Sequence, residues 1–205
     1  MQFPRARLLI FAKAPAPGRV KTRLAPLLGA DGAADLYHRL LLDTFEKFAR
    51  KPLCPVNCWC SPDTRHPVFA EARWRFGVGL YRQRGADLGE RMAEAAEQAL
   101  RVADAAVLIG ADCPGLGPEQ LRDVLDRLKR GASAVVIPAE DGGYVLLGLS
   151  RFSARLFQGI AWGEDGVMAA TRERLAALGW RWGELAPLWD LDRPADLERY
   201  RRGTG

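Results

Sequence analysis

The sequence predicts an α/β protein in one domain, 1–205, with a mainly parallel, Rossmann-like sheet and helices on both faces. Apolar runs of strand length alternate with segments of helical period, as successive βα units require. The first apolar run ends in a loop crowded with cations, at the carboxyl end of a strand, where ligands of parallel α/β sheets gather. No repeat, low-complexity tract or long linker divides the 205 residues, and a chain of this length buries a core without disulfide staples.

The elements follow in order. Residues 7–12 (RLLIFA) read as the first strand, and 31–50 as a helix lying on it with Ala34, Tyr37, Leu41, Thr44, Phe45 and Phe48 on one face. A second strand is expected at 56–60 and a third at 76–82. Asp87-Leu88-Gly89-Glu90 then resembles a capping box that opens a helix to about Val102. Residues 105–109 (AAVLI) form a buried strand, and 118–130 a helix with Leu121, Val124, Leu125 and Leu128 inward and Gly131 as its cap. Strands at 134–138 and 144–149 flank Glu140-Asp141-Gly142-Gly143. A helix near 165–178 and a short one after Pro194 complete the chain.

Composition excludes several classes. With 48% apolar and 27% charged residues the chain is neither disordered nor fibrous. No apolar stretch reaches membrane-helix length and no secretory leader precedes the first strand, so a cytoplasmic location is expected. The net charge of +5 is spread along the chain without an aromatic-interleaved basic stripe, which speaks for an anionic small substrate and against nucleic acid. Cys54, Cys58 and Cys60 form a C-x3-C-x-C cluster that could hold zinc with His66 as a fourth ligand, but a buried strand accounts for them better. Four serines without G-x-S-x-G give a nucleophilic hydrolase no support.

The chemistry concentrates in four places. The loop from Lys13 to Leu24 carries Lys13, Arg19, Lys21 and Arg23 around Pro17 and Gly18, with Thr22 beside them. It holds two of only five lysines, and a compact ammonium suits phosphate as a point charge. It is not a Walker A loop, since G-x-x-x-x-G-K-[ST] is absent. The strand 105–109 runs into Gly110-Ala111-Asp112, which sets one carboxylate at the carboxyl end of a central strand. An unpaired charge is costly there, and Mg²⁺ or Mn²⁺ bridging Asp112 to a diphosphate would offset the cost; the alternative is an Asx-turn before Pro114. Asp190-Leu191-Asp192 is a D-x-D whose carboxylates point the same way in extended chain, although Asp192 could instead cap the following helix. Asp141-Gly142-Gly143 is either a hairpin turn or a place where backbone approaches a ligand.

Taken together, FAKAPAPGRVKTRL at 11–24, DLGERM at 87–92, IGADCPGL at 109–116, PAEDGGYVLLGL at 138–149 and WDLDRPADL at 189–197 resemble a family of small bacterial proteins held to be glycosyltransferases and formerly carried as a domain of unknown function. That family is placed among nucleotide-diphospho-sugar transferases of the GT-A type, related to the guanylyltransferases of molybdenum cofactor and of phospholactate. The resemblance implies a GT-A sheet, nucleotide phosphates on Lys13, Pro17, Gly18, Lys21, Thr22 and Arg23, and substrate contacts at Asp141, Gly142 and Gly143. It also implies Mg²⁺ or Mn²⁺ on Asp112 with Asp190 or Asp192 as second carboxylate, Asp112 and Asp192 being the catalytic pair. The expected partners are a nucleotide or nucleotide-sugar donor and a small acceptor. The reaction is either glycosyl transfer or nucleotidyl transfer with pyrophosphate release, a silent nucleotide-binding subunit being the remaining alternative. The oligomeric state is left open. Where the family commonly has Trp-Ser-Thr, this chain has Trp162-Gly163-Glu164.

Overall fold

A computed structural model describes residues 1–203. Among them one sheet of seven strands is formed by β1 (Ala6–Lys13), β2 (Val56–Ser61), β3 (Gly79–Arg82), β4 (Ala105–Ile109), β5 (Ala134–Pro138), β6 (Tyr144–Leu149) and β7 (Trp182–Glu184), in the order β3-β2-β1-β4-β6-β5-β7. All neighbouring pairs are parallel except those of β6, which runs antiparallel to β4 and β5. The exception is local in origin, because β5 and β6 are joined by a short turn that must reverse the chain.

Alternation of side chains along the strands divides the core into two layers. Leu8, Ile10, Val107 and Ile109 point to one face, where α1 (Ala25–Ala49), α2 (Pro67–Phe76) and α4 (Pro118–Lys129) cover them with Tyr37, Phe45, Phe69 and Leu121. Leu9, Ala106 and Leu108 point to the other, under α3 (Leu88–Leu100) and α5 (Val167–Ala177) with Met92, Ala95 and Met168. A third cluster joins Leu24, Leu36 and Leu40 to Trp189, Leu191 and Leu197, so the tail and α6 (Pro194–Arg201) are sewn to the start of α1.

The structure departs from the expected elements in a few places. Residues 67–76 form α2, whose first turn is set by Pro67 at N1 and by His66, which accepts at Nδ1 from the Val68 amide. Phe76 therefore ends a helix, and the third strand begins only at Gly79. Helix α1 begins at Ala25, ahead of residue 31, with a break at Gly29 (φ 71°). Strand β7 is three residues long and pairs only with β5, too short for a periodic signal. Cys54, Cys58 and Cys60 are fully buried. The Cys58 and Cys60 sulfurs lie 3.6 Å apart in the core, and burial pushes the Cys54 thiol up to about 12. Among the described residues no three His, Cys, Asp or Glu converge as a metal site, so the zinc reading gives way to strand packing.

Helix α3 sets one wall of the functional cleft, and its start is held reciprocally. Asp87 Oδ1 accepts from the Glu90 amide at 2.8 Å, while Glu90 Oε2 accepts from the Ala86 amide at 2.8 Å. The return bond reaches one residue further out than in the usual box. Asp87→Ala should lower stability by about 1 kcal/mol in urea unfolding, with an unchanged m-value. A loss under a few tenths would mean that the cap carries no weight.

Candidate functional site

The sheet reverses its winding between β1 and β4. From β1 the chain builds outward through β2 and β3, then returns to place β4 on β1's other side, so loops leaving the two strands diverge and open a crevice. Lys13 closes β1, and its amide donates to the buried Tyr37 hydroxyl at 2.9 Å. The loop then turns so that Lys21 adopts the left-handed region at φ 48° and points inward. Its side chain is 4% exposed, its Nζ is ion-paired to Asp112 Oδ1, and it lies 6.0 Å from the centre of the Tyr37 ring. Asp112 Oδ1 is buried and is met by that ion pair without an aligned hydrogen bond, while the side chain as a whole is 41% exposed and lines the cleft.

This corrects the expectation that Asp112 stands unpaired in the free protein. The cation that offsets its charge is Lys21, contributed by the loop that the sequence assigned to phosphate. Asp112 does not need a metal to be tolerated where it is.

The C-terminal carboxylates reach the same place through the backbone. The Leu191 amide donates to the Asp112 carbonyl at 2.8 Å, and Trp189 and Leu191 are buried on either side of Asp190. Asp190 is pushed up to about 6, first by burial and then by the nearby charges of Asp141 and Asp112, with Lys21 acting in the opposite sense. Asp192 instead pairs with Arg23 Nη1 at 2.6 Å. It does not cap α6: Asp196 Oδ2 accepts from the amides of Asp192 and Arg193 at 3.1 and 2.6 Å.

At the β5–β6 turn, Asp141 Oδ1 accepts from the Gly143 amide at 2.9 Å, so the turn reading is correct. Asp141 and Gly143 nevertheless line the cleft. Gly142 does not. At φ 93° its carbonyl accepts from the Met168 amide at 2.8 Å, and a Cβ there would run into the Asp165 backbone. The close approach it permits is to the segment before α5.

A cleft of about 540 Å³ unites these groups. Lys13, Lys21, Thr22, Arg23, Asp112, Asp141, Gly143, Asp190 and Asp192 line it; Pro17, Gly18 and Gly142 do not. Pro17 and Gly18 shape the exposed outer turn of the loop, Gly18 at φ 71°. Site residues missed by the sequence reading are Tyr37, Gln83, Leu88, Met92, Tyr144, Trp162 and Glu164. Tyr37 was hidden in the apolar face of α1, and Leu88 shows itself only in the structure, as a large apolar side chain left 42% exposed at the start of α3. The donors suited to a hard cation are the oxygens of Asp112 and Asp190. Desolvated Asp190, close to two further carboxylates, fits a divalent ion that completes its shell with phosphate and water. With no three-ligand cluster among the described residues, the pair does not make an all-protein cage.

Residues 44–164 match a family described as "Uncharacterized protein conserved in bacteria (DUF2064)". A crystal structure from Desulfovibrio desulfuricans G20, named provisionally as a nucleotide-diphospho-sugar transferase, is 32% identical at a TM-score of 0.90, covering 98% of this chain and 88% of that one. A cytidylyltransferase from Leptospira borgpetersenii (15% identity, TM-score 0.62, 97% and 85% covered) shares the fold. So does glucosyl-3-phosphoglycerate synthase from Mycobacterium tuberculosis, solved with Mn²⁺, UDP and glucosyl-3-phosphoglycerate (12%, 0.58, 97% and 76%). No curated protein matches the sequence.

Two stability experiments follow. Asp112→Asn leaves Lys21 buried without its counter-charge and should cost about 1–3 kcal/mol; Lys21→Met in the same background should recover part of that loss, whereas additive losses would mean that the two groups do not interact. Asp190 carries a proton more readily folded than unfolded, so the folded state loses stability as pH rises from about 4 to about 6. In EDTA, Asp190→Asn should abolish this decline and be the more stable protein at pH 7. An unchanged pH profile would show that Asp190 ionises normally.

Proposed function

Because the chain belongs to the DUF2064 family, we propose that it is a transferase acting on a nucleotide-bound group, specifically a divalent-metal-dependent glycosyltransferase of the GT-A type. One observation carries this reading: four cations from the β1 loop and the carboxylates Asp112 and Asp190 line a single cleft at the switch point of the sheet. A ligand bearing both phosphates and a divalent cation satisfies both sets at once.

In this mechanism Lys13, Arg19, Lys21 and Arg23 hold the diphosphate. Asp112 and Asp190 would hold Mg²⁺ or Mn²⁺, which supplies neutralisation of the charge that develops on the departing nucleoside diphosphate. Asp190 takes the second place in preference to Asp192, whose carboxylate is engaged by Arg23; Asp192 then acts by fixing that guanidinium. The acceptor oxygen replaces the diphosphate oxygen at the anomeric carbon, and the acceptor's proton passes to a cleft carboxylate. Tyr37, bonded to the Lys13 amide and beneath the Lys21 ammonium, fixes the origin and the inward turn of the loop.

Nucleotidyl transfer to a phosphorylated metabolite is the second reading, and four lining cations, enough for a triphosphate, favour it. The products separate the two: pyrophosphate for nucleotidyl transfer, a nucleoside diphosphate for glycosyl transfer.

A thermal-shift panel of nucleoside diphosphates, triphosphates and nucleotide sugars with Mn²⁺ tests the site. At 100 times its dissociation constant a ligand stabilises by about 2.7 kcal/mol, a shift of roughly 5–10 °C for a chain of this size. Lys13→Ala, at an exposed side chain that leaves folding intact, should weaken the productive nucleotide about tenfold. If no nucleotide shifts the wild type, or if Lys13→Ala and Lys21→Met bind like wild type, the phosphate assignment is wrong.

A further inference from the structure

The cleft differs in chemistry on the two sides of the β1–β4 crevice. On the β3 side it is bounded by the neutral amide of Gln83, which follows that strand and whose Nε2 donates to the Ala12 and Trp59 carbonyls at 3.3 and 2.7 Å. On the β6 side it is bounded by apolar and aromatic side chains, Leu88, Met92, Tyr144 and Trp162, with the carboxylates of Asp141 and Glu164 beside them. The four lining cations all come from the loop between these two flanks.

The β6 flank is built and not incidental. Trp162 stands edge-on to Tyr144, the rings 6.4 Å apart at 90°, so the two make a corner. The indole packs over Gly89 in the first turn of α3, where any Cβ would run into Trp162 Nε1 and the Phe157 carbonyl. The Tyr144 hydroxyl has a weak partner, Met92 Sδ at 3.6 Å, which leaves its lone pairs available. Leu88 keeps 42% of its surface exposed on this wall.

We infer that the corner of Trp162 and Tyr144 is the subsite for the transferred sugar ring, with Asp141 and Glu164 accepting from its hydroxyls, so that the nucleobase lies on the opposite, Gln83 side. Three properties of the flank select that occupant. Carboxylates repel phosphate, which keeps the diphosphate on the cationic loop. They accept hydrogen bonds and donate none when ionised, so they suit a ring rich in hydroxyl donors. An edge-to-face corner offers one aromatic face and not a parallel slot, which fits a puckered ring with an apolar C–H face better than a flat base. On the other flank the Gln83 amide, its N–H groups held by the Ala12 and Trp59 carbonyls, carries no charge and has its oxygen as the atom to accept from a base edge.

This assignment rests on the transferase reading, and the test keeps the two apart. ADP, CDP, GDP and UDP are titrated calorimetrically with Mn²⁺, alongside their glucose, galactose and mannose conjugates, into wild type, Trp162→Ala, Trp162→Phe and Gly89→Ala. For the base that binds, Trp162→Ala should weaken the preferred conjugate about five- to tenfold and leave the free diphosphate within twofold. Trp162→Phe should recover most of the loss, and Gly89→Ala, which displaces the indole without removing it, should reproduce it. Equal weakening of diphosphate and conjugate would place Trp162 against the base or phosphates, and no weakening of either would remove it from the site; both outcomes overturn the inference while leaving the transferase reading intact. Failure of every diphosphate to bind wild type would sink the transferase reading and this subsite with it. Circular dichroism melts separate lost contact from lost fold: the Trp162 variants should stay cooperatively folded, Gly89→Ala should melt lower because its Cβ also meets the Phe157 carbonyl, and every titration is run well below the melting temperature of the variant used.

Discussion

A buried ammonium is tolerable only beside a counter-charge, and the Lys21–Asp112 pair is the contact on which the functional end of this molecule depends. Lys21 is drawn inward by a left-handed backbone conformation that costs a non-glycine residue about 1–2 kcal/mol. Pairing with Asp112 and the Tyr37 ring beneath offset that cost. The bond between the two loops is thus electrostatic, while the strands they leave are joined by a parallel ladder. Through its carbonyl, Asp112 also receives the Leu191 amide, so the tail and the third core cluster register against the same point.

Charge in the cleft is divided by origin. The cations come from one continuous stretch, whereas the carboxylates come from four: the β4 loop, the β5–β6 turn, the segment before α5 and the tail. Arg23 and Asp192 balance each other at the rim, Lys21 and Asp112 at the centre, and Asp190 is left with more negative than positive charge around it. The free site is therefore close to internal neutrality. In the proposed function a metal–nucleotide complex replaces one set of internal pairs by another of the same signs, with little net charge left behind.

The same economy explains the two glycines of the turn 140–143. Gly143 supplies an amide to Asp141 and opens on the cleft, while Gly142 lets the segment before α5 come into contact. That segment holds Trp162 and Glu164 at the rim, so a turn that looks like an ordinary hairpin connection also sets the distance between the aromatic wall and the carboxylates.

The alternation of apolar runs with amphipathic stretches determined the strands β1, β2, β4, β5 and β6 and the helices α1, α3, α4, α5 and α6, because period and burial are local properties of the chain. It did not reveal α2, whose exposed Trp74 and arginines blur its apolar face, nor β7, whose three residues pair only with a distant strand. Lys13, Lys21, Arg23 and Asp112 were legible for a related reason: charge placed just beyond a buried strand stands out wherever the sheet is going. Their partners were not. That Lys21 faces Asp112, that Arg23 takes Asp192, that Gly142 meets Asp165, and that Trp162 stands against Tyr144 and Gly89 are contacts between segments far apart in sequence. Residue type sets what a group can bind; only the closure of the sheet and the docking of the tail decide which group it meets.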